Sequence, residues 1–210
     1  MPRQFFTKVE REQLSSFPLA PTEDEIITFF TLSSSEIALT HKRSGEVNQL
    51  VFAIQLGGLR YLGFIPEDLS NTPTEIVEYL AKQLNLTFHS LSNYQQRPNT
   101  RTSQLQEIRQ FLGWRKATKI DLLVGENWLL ERAMEHDRPS LLFQLLCQKF
   151  LQEKIIRPRV TTLERMVMKA RVEATTETFN RLQFLLTTDT KVNAAKLSGV
   201  IPRSLRTENA

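Results

Sequence analysis

A cluster of cationic side chains lies between residues 97 and 119. The stretch RPNTRTSQLQEIRQFLGWRKATK contains one acid, Glu107, and six basic residues: Arg97, Arg101, Arg109, Arg115, Lys116 and Lys119. Guanidinium and ammonium groups at this density attract polyanions, and the phosphate backbone of nucleic acid is such a polyanion. The chemistry that these residue types indicate is therefore the binding of phosphate.

One amphipathic helix is expected to carry the middle of this cluster. Its apolar residues recur at a spacing of three and four, so one side docks on a core; they are Leu105, Ile108 and Leu112. Gln106 and Arg109 lie beside that side, where an amide and a guanidinium can reach base edges or phosphates. Arg97 and Arg101 lie at the helix N-terminus, where a phosphate also meets free backbone N–H groups. The charge pattern leaves an alternative open, a solvated face whose cations pair with acids elsewhere.

A second candidate lies between residues 22 and 45. A short acidic helix ending at Phe30 is followed by a tight connection and by a helix that carries Lys42 and Arg43 towards Gly45. These are the proportions of a helix-turn-helix, provided that the acidic helix faces away from phosphates. An αα-hairpin explains the same pattern, because Lys and Arg stabilise the dipole at a helix C-terminus. The sequence by itself favours the hairpin.

Catalysis and metal binding have no support in the sequence. The histidines His41, His89 and His136 are scattered, and they share the chain with a single cysteine, Cys147. No glycine pair is followed by the Gly-Lys-Ser/Thr of a phosphate-binding loop, and no nucleophile elbow is present. We therefore predict no catalytic residue, no metal site and no cofactor.

The expected compartment is the cytoplasm. Cys147 lies in the apolar run SLLFQLLCQKF, which is typical of a small buried thiol in a reducing environment. The N-terminus has no apolar signal segment, and no run reaches the roughly 18 to 20 apolar residues of a membrane span. No membrane partner is expected.

Helix-start signals recur along the chain and predict an all-α fold. Four segments match the capping box, in which a hydroxyl and a carboxylate three residues later satisfy backbone N–H groups; they begin at Thr22, Ser33, Thr72 and Thr161. The segment Asn48–Leu62 is apolar nearly all round, which predicts a buried central helix. No strand pairs are predicted.

Charge divides the chain into parts. The net charge is −4 over residues 1–92, +7 over 93–171 and +1 over 172–210, and the polar segment SLSNYQQRPN lies at the first change of sign. We therefore predict a first helical module at 1–92, a second, basic helical module at 93–157, a long C-terminal helix at 158–186 and a poorly ordered tail at 187–210.

Four blocks of the sequence resemble the N-terminal region of the large replicative transposases of the Tn-three (class II) family. In chain order they are FTLSSSEIALTHKRSGEVNQLVFAIQLGGLRYLGFIP, RPNTRTSQLQEIRQFLGWR, WLLERAMEHDRPSLLFQLLCQKFLQEKIIRP and VTTLERMVMKAR. The blocks keep the family's order and cover roughly Met1 to Thr187. The resemblance implies helical modules that bind double-stranded DNA at the terminal inverted repeats of a transposon, in association with the nucleoid.

The resemblance also implies which activity is missing. In such enzymes the strand-cutting site is a set of metal-binding carboxylates in an RNase H-like domain far downstream, and this chain ends before it. We therefore expect a DNA-recognition part that is not itself an enzyme. Two alternatives stay open. One is a helical interaction module that assembles transposase subunits, with apolar surface at Trp114 and Trp128, and the other is a truncated regulator that competes for transposon ends.

Carried over position by position, the resemblance assigns DNA contacts to two blocks. They are Arg97, Thr100, Arg101 and Arg109 in one block, and Lys42, Arg43, Gly45 and Asn48 in the other. The family often has His where Gln104 stands and Arg where Gln49 stands, so one contact in each block is expected to be altered. With the candidates from the helix pattern, the predicted DNA-binding set is Lys42, Arg43, Asn48, Arg97, Thr100, Arg101, Gln106, Arg109, Arg115, Lys116 and Lys119.

Overall fold

The computed structural model describes residues 5–87 and 98–199, with side chains at 5–87 and 100–185. Over these residues the chain is all-α, as predicted: it forms nine helices and one pair of two-residue strands. In chain order the elements are α1 (Lys8–Gln13), α2 (Glu23–Phe30), α3 (Ser34–His41), α4 (Glu46–Leu62), α5 (Thr74–Gln83), α6 (Pro98–Leu112), β1 (Arg115–Lys116), α7 (Lys119–Glu135), α8 (Pro139–Gln152), β2 (Ile155–Ile156) and α9 (Val160–Gly199). None of the helices in these ranges is both long enough and apolar enough to cross a membrane.

Two of the four predicted capping boxes are confirmed. The Thr22 hydroxyl accepts a hydrogen bond from the backbone N–H of Glu25, whose carboxylate accepts one from the backbone of Thr22. Ser33 and Glu36 make the same pair of bonds at the start of α3. These bonds satisfy backbone donors that a helix start otherwise leaves unpaired, and those from Thr22 hold the pKa of the Glu25 carboxyl below its usual value. Local sequence thus determines where α2 and α3 begin.

The other two predicted capping boxes are wrong. Before α5, the Thr72 hydroxyl donates to the carbonyl of Leu69 at 2.7 Å, so it closes a turn instead of capping the helix. At the start of α9, the Glu164 carboxylate accepts hydrogen bonds from the Arg11 side chain and from the backbone of Phe6. A partner distant in sequence has therefore replaced the local one.

Helix α4 lies at the centre of the first half of the chain, as its apolar sequence predicted. All its residues from 50 to 59 are buried. Two glycines let neighbouring aromatic rings approach its backbone: a Cβ at Gly57 would lie 2.3 Å from Cδ1 of Phe30, and one at Gly58 would lie 2.9 Å from Cζ of Phe17. Helix α2 therefore packs directly against the backbone of α4.

Two hydrophobic cores hold the helices together. The first is built from residues 17–84 and is completed by Ile108 of α6 and by Trp114. The second is built from α7, α8, β2 and α9, and Phe5, Phe6 and Leu14 pack against it. The predicted module boundary at residue 92 lies outside the described residues, yet side chains from either half of the chain complete the core of the other.

A buried ion pair fastens the N-terminal segment, residues 5–14, to the second core. Glu164 is only 2% exposed, and its carboxylate accepts from Nε of Arg11 at 2.7 Å and from the backbone N–H of Phe6 at 3.0 Å. Arg11 also donates to the carbonyl of Phe6 at 2.6 Å. We call this arrangement the N-terminal clip.

Helix α9 is longer than the predicted 158–186. Its 40 residues, Val160–Gly199, correspond to a length of about 60 Å. Among its residues up to 185, whose side chains the structure describes, the last buried one is Ala174, and residues 178–185 are exposed. The predicted poorly ordered tail therefore starts within a helix, and its last part, residues 200–210, lies outside the described residues.

The two strands were not predicted. β1 and β2 pair in parallel, with Arg115 opposite Ile155 and Lys116 opposite Ile156. Two residues are too few to show an alternating pattern, so the sequence gives no signal for them. The pair joins the end of α6 to the segment before α9.

Candidate nucleic-acid interface

Helix α6 carries most of the predicted contacts, and its docked side follows from its sequence. Ile108 is fully buried in the first core, Gln104 is 4% exposed, and Leu112 packs at the core's edge. Gly113 follows the helix with φ +70°, the left-handed conformation in which a glycine commonly ends a helix. The opposite side of α6 faces solvent.

The outward side of α6 is polar and uncharged. Thr102, Ser103, Gln106 and Gln110 are exposed and share an arc of about 100° on a helix with 3.6 residues per turn. We call these four residues the amide face. Thr100, one turn before the middle of the helix, is exposed as well. Thr100 and Gln106 of the predicted set therefore lie where a ligand can reach them.

An ion pair brings the two predicted blocks together. Nη2 of Arg43 lies 2.9 Å from Oε1 of Glu107, which borders the amide face on α6. The Arg43 guanidinium also lies 4.8 Å from the centre of the Phe52 ring, and its side chain is 19% exposed. The preceding residue, Lys42, is exposed. The pair neutralises the single acid of the stretch 97–119 and joins the segment after α3 to α6.

Arg109 lies on the other border of the amide face, whereas Arg101 lies farther round α6, towards the docked side that carries Ile108. Arg101 donates from Nη2 to the carbonyl of Pro66 at 2.9 Å, and Arg109 donates from Nε to the carbonyl of Leu105 at 3.0 Å. These bonds orient the two side chains, and each guanidinium keeps further N–H donors because it carries five. Both side chains line a cleft of about 1420 Å³.

The cleft separates α6 from the segment 64–68 and from the start of α9. Its lining includes Lys116 and three arginines that were not predicted, Arg11, Arg157 and Arg159. Arg157 has a structural role: its guanidinium stacks 3.7 Å from the Phe64 ring centre and donates to the carbonyl of Leu14, and burial lowers its pKa. Arg159 is exposed. The sequence Arg-Pro-Arg at 157–159 is basic, but at the level of sequence it predicts only the boundary between the second module and the long C-terminal helix.

Three predicted cations follow α6 in sequence. Both terminal nitrogens of Arg115 donate to the carboxylate of Asp121, at 2.5 and 2.7 Å, although 53% of the arginine side chain is exposed. The Arg115 guanidinium and hydrogen bonds from Thr118 hold the pKa of Asp121 far below its usual range. Lys116 and Lys119 are exposed. The Arg115 guanidinium is therefore paired with a carboxylate, whereas the two lysine side chains are accessible at the surface.

The remaining predicted residues differ in their environments. Asn48 donates to the carbonyl of Ser44 at 2.7 Å, and Gln49 donates to the carbonyl of Arg43 at 3.0 Å, so both stabilise the turn before α4. Gln104, where the family often has His, is only 4% exposed. Arg97 lies outside the described residues.

Helices α2 and α3, predicted as a hairpin or a helix-turn-helix, both pack on α4. Arg60 of α4 lies 3.2 Å from Glu36 of α3, which is buried with Leu39 and Thr40. This packing fits both interpretations, so the helix-turn-helix stays a prediction.

Within the described ranges, no three or more His, Cys, Asp or Glu side chains lie together in a way that could hold a metal ion. Cys147 is half-buried, and burial raises the pKa of its thiol.

Comparison with known proteins shows the family. Residues 5–170 match the model of a domain of unknown function, DUF4158. The chain is 36% identical over 203 residues to the transposase for transposon Tn1546 of Enterococcus faecium, which covers 95% of this chain and 20% of that protein. It is 31% identical over 189 residues to the transposase for transposon Tn3926 of Escherichia coli, covering 89% of this chain and 18% of that protein.

A third relative is the transposase for transposon gamma-delta of Escherichia coli strain K12, 26% identical over 193 residues, with 88% of this chain and 19% of that protein covered. The chain thus spans about a fifth of the length of the curated relatives that it matches. The resemblance inferred from the four sequence blocks is confirmed, and the chain belongs to the DUF4158 family, whose domain it shares with transposases of the Tn-three family.

Proposed function

We propose that this chain binds double-stranded DNA at the terminal inverted repeats of a transposon, as the recognition part of a transposase. The observation that carries the proposal is the contact of Arg43 with Glu107, 2.9 Å between Nη2 and Oε1. It unites two basic segments that lie 64 residues apart in sequence. The relatives named as transposases supply the context of transposition.

The distribution of charge around α6 supports this proposal. The Arg43–Glu107 pair lies on one border of the amide face, and Arg109 lies on the other and lines the cleft together with Lys116. Contacts to phosphate position a protein on a duplex, whereas contacts to base edges specify the sequence. A neutral hydrogen-bonding surface with cations on both sides suits both tasks at once, because a groove of DNA is flanked by two phosphate backbones.

The proposed role is recognition rather than strand cutting. The transposase activity stated in the relatives' names belongs to proteins about five times as long as the matched part. We assign DNA recognition to the matched part and strand cutting to other parts of such proteins.

A salt titration tests the proposal. An inverted-repeat duplex and a scrambled duplex of the same length and composition are titrated with the chain at several salt concentrations. If about six phosphates are neutralised, the logarithm of affinity falls against the logarithm of salt with a slope of about −5. Equal affinity for the two duplexes would contradict sequence-specific binding. An affinity that does not change with salt would contradict the phosphate contacts.

Charge variants assign the contacts to the surface around α6. Arg109→Ala with Lys116→Ala is expected to weaken binding to both duplexes and to make the salt slope shallower by about 2, since two phosphate contacts are lost. Lys82→Ala is the matched control, because Lys82 is an exposed cation on α5. An unchanged slope in the double variant, or an equal change in the control, would show that the duplex binds elsewhere.

A second candidate function is assembly with other transposase subunits, and α9 favours it. Beyond the second core this helix exposes large apolar side chains, each more than half exposed: Val172, Phe179, Leu182, Phe184 and Leu185. The two tryptophans do not offer the expected apolar surface, because Trp114 is 9% exposed and Trp128 lies beneath Arg132 and Lys149. Sedimentation separates the functions: a stable oligomer that binds no duplex would favour assembly.

A further inference from the structure

The amide face contains two glutamines whose hydrogen-bonding groups are available to a ligand. Gln106 and Gln110 are exposed, and within the parts of the chain that the structure describes neither amide makes a hydrogen bond. They are one helical turn apart on the same side of α6. The buried residues Gln104 and Ile108 fix the opposite side of the helix. The two amides are therefore held in a defined relation by a rigid element.

The surroundings of the glutamines differ from an ordinary solvated helix face. Such a face usually carries charged side chains, often in opposite-sign pairs four residues apart. Here the four residues of the amide face are uncharged, and the charges begin only at its borders. Arg109 lies on one border, and the Arg43–Glu107 pair lies on the other. Neutral donors and acceptors stand in the centre, and cations stand on both sides.

A glutamine amide matches adenine in the major groove. It offers one acceptor and two donors, and it pairs in bidentate fashion with the N6 amino group and N7 of adenine. Residues four apart on a helix are separated by about 6 Å along its axis. Successive bases on one strand rise by about 3.4 Å, so two such amides span about two base steps.

We infer that Gln106 and Gln110 determine the sequence preference of this surface by contacting two adenines, about two base pairs apart, in the major groove of B-form DNA. The inference rests on the proposed function and assigns to it both a base and the residues that contact it. Double-stranded RNA is the excluded alternative, because the major groove of an A-form helix is too deep and narrow for side chains to read.

Selection from a duplex pool tests the preference. Duplexes with randomised central positions are bound to the full 210-residue chain, and the enriched sequence is then changed one base pair at a time. Two A·T pairs about two steps apart are expected to matter most. Gln106→Ala is expected to abolish discrimination at one of them and Gln110→Ala at the other, each by roughly tenfold, with unchanged affinity for a duplex that lacks the motif.

The controls separate base contact from a role in folding. Gln144→Ala replaces an exposed glutamine on α8 and is expected to change nothing. Replacing the critical adenine by 7-deazaadenine removes the N7 acceptor and leaves the base pair intact. The native chain is expected to bind the modified duplex more weakly than the unmodified one. The variant that lacks the contacting glutamine is expected to bind both duplexes with the same affinity. If a glutamine acted only through the fold, its substitution would not cancel the effect of removing N7 from one particular adenine.

The outcomes distinguish the inference from the proposed function. A chain that enriches no sequence, or that binds all duplexes equally, overturns both. A chain with a clear sequence preference that survives both substitutions overturns the inference alone. The inference alone is also overturned if Gln144→Ala reduces discrimination as much as the α6 variants do. The same holds if 7-deazaadenine still weakens binding in both Gln106→Ala and Gln110→Ala.

Discussion

At the residue scale, Arg43 and Glu107 decide how the two basic segments are arranged. Their side chains are 19% and 34% exposed, so water screens their attraction and the pair adds about 1 kcal/mol or less to stability. Its importance is geometric, because it joins the segment after α3 to α6. It also balances the one carboxylate that would otherwise repel a phosphate at the border of the amide face.

The variant Glu107→Gln tests this balance. It removes a negative charge from the proposed interface and releases the Arg43 guanidinium, so duplex affinity is expected to rise and the salt slope to steepen by about 1. Fluorescence anisotropy at several salt concentrations measures both quantities. Glu78→Gln, an exposed acid on α5, is the control. A weaker affinity in Glu107→Gln would show that the pair itself, rather than the free guanidinium, is needed for binding.

At the element scale, local signals were sufficient for some helices and not for others. The boxes at Thr22 and Ser33 predicted the starts of α2 and α3, because both partners lie within one turn. The box at Thr161 failed because Glu164 is bound by Arg11, 153 residues away. The spacing of Ile108 and Leu112 identified the docked side of α6, but apolar spacing does not say which core receives it.

The close approach of α2 to α4 leads to a prediction about stability. A Cβ at Gly57 would lie 2.3 Å from the Phe30 ring, and Phe30 is fully buried and cannot move into solvent. Gly57→Ala is therefore expected to destabilise the chain by about 1–3 kcal/mol in urea unfolding. Phe30→Leu makes room, so the double variant should lose less than the sum of the single losses. Additive losses would mean that steric overlap is not the cause.

At the scale of the whole molecule, the site could be predicted in part. The basic stretch, the outward position of Gln106 and the all-α class followed from composition and periodicity. The contact of Arg43 with α6, the cleft and the position of Arg159 beside it did not, since they depend on contacts between residues distant in sequence. Arg43 and Arg115 further show that a cation in a basic run can be held by a carboxylate, which composition does not reveal.

The N-terminal clip gives a prediction at the same scale. Arg11→Ala would leave the Glu164 carboxylate buried without its cation, and the loss of one partner of a buried pair costs about 3 kcal/mol or more. Thermal or urea unfolding measures the loss. Arg11→Ala combined with Glu164→Ala is expected to be more stable than Arg11→Ala alone, because no charge is stranded. If the double variant were less stable than Arg11→Ala, the Arg11 side chain would stabilise the chain through packing instead of through its charge.

The sharing of side chains between the two cores has a consequence for how such chains diversify. Phe5 and Phe6 cover the core formed by the later helices, and Ile108 fills the core formed by the earlier ones. A genetic exchange with a breakpoint near the middle would therefore join two mismatched halves, each lacking the residues that its core needs. Under the proposed function, relatives with different sequence preferences are expected to differ by point changes on the exposed side of α6, and to inherit the unit as a whole.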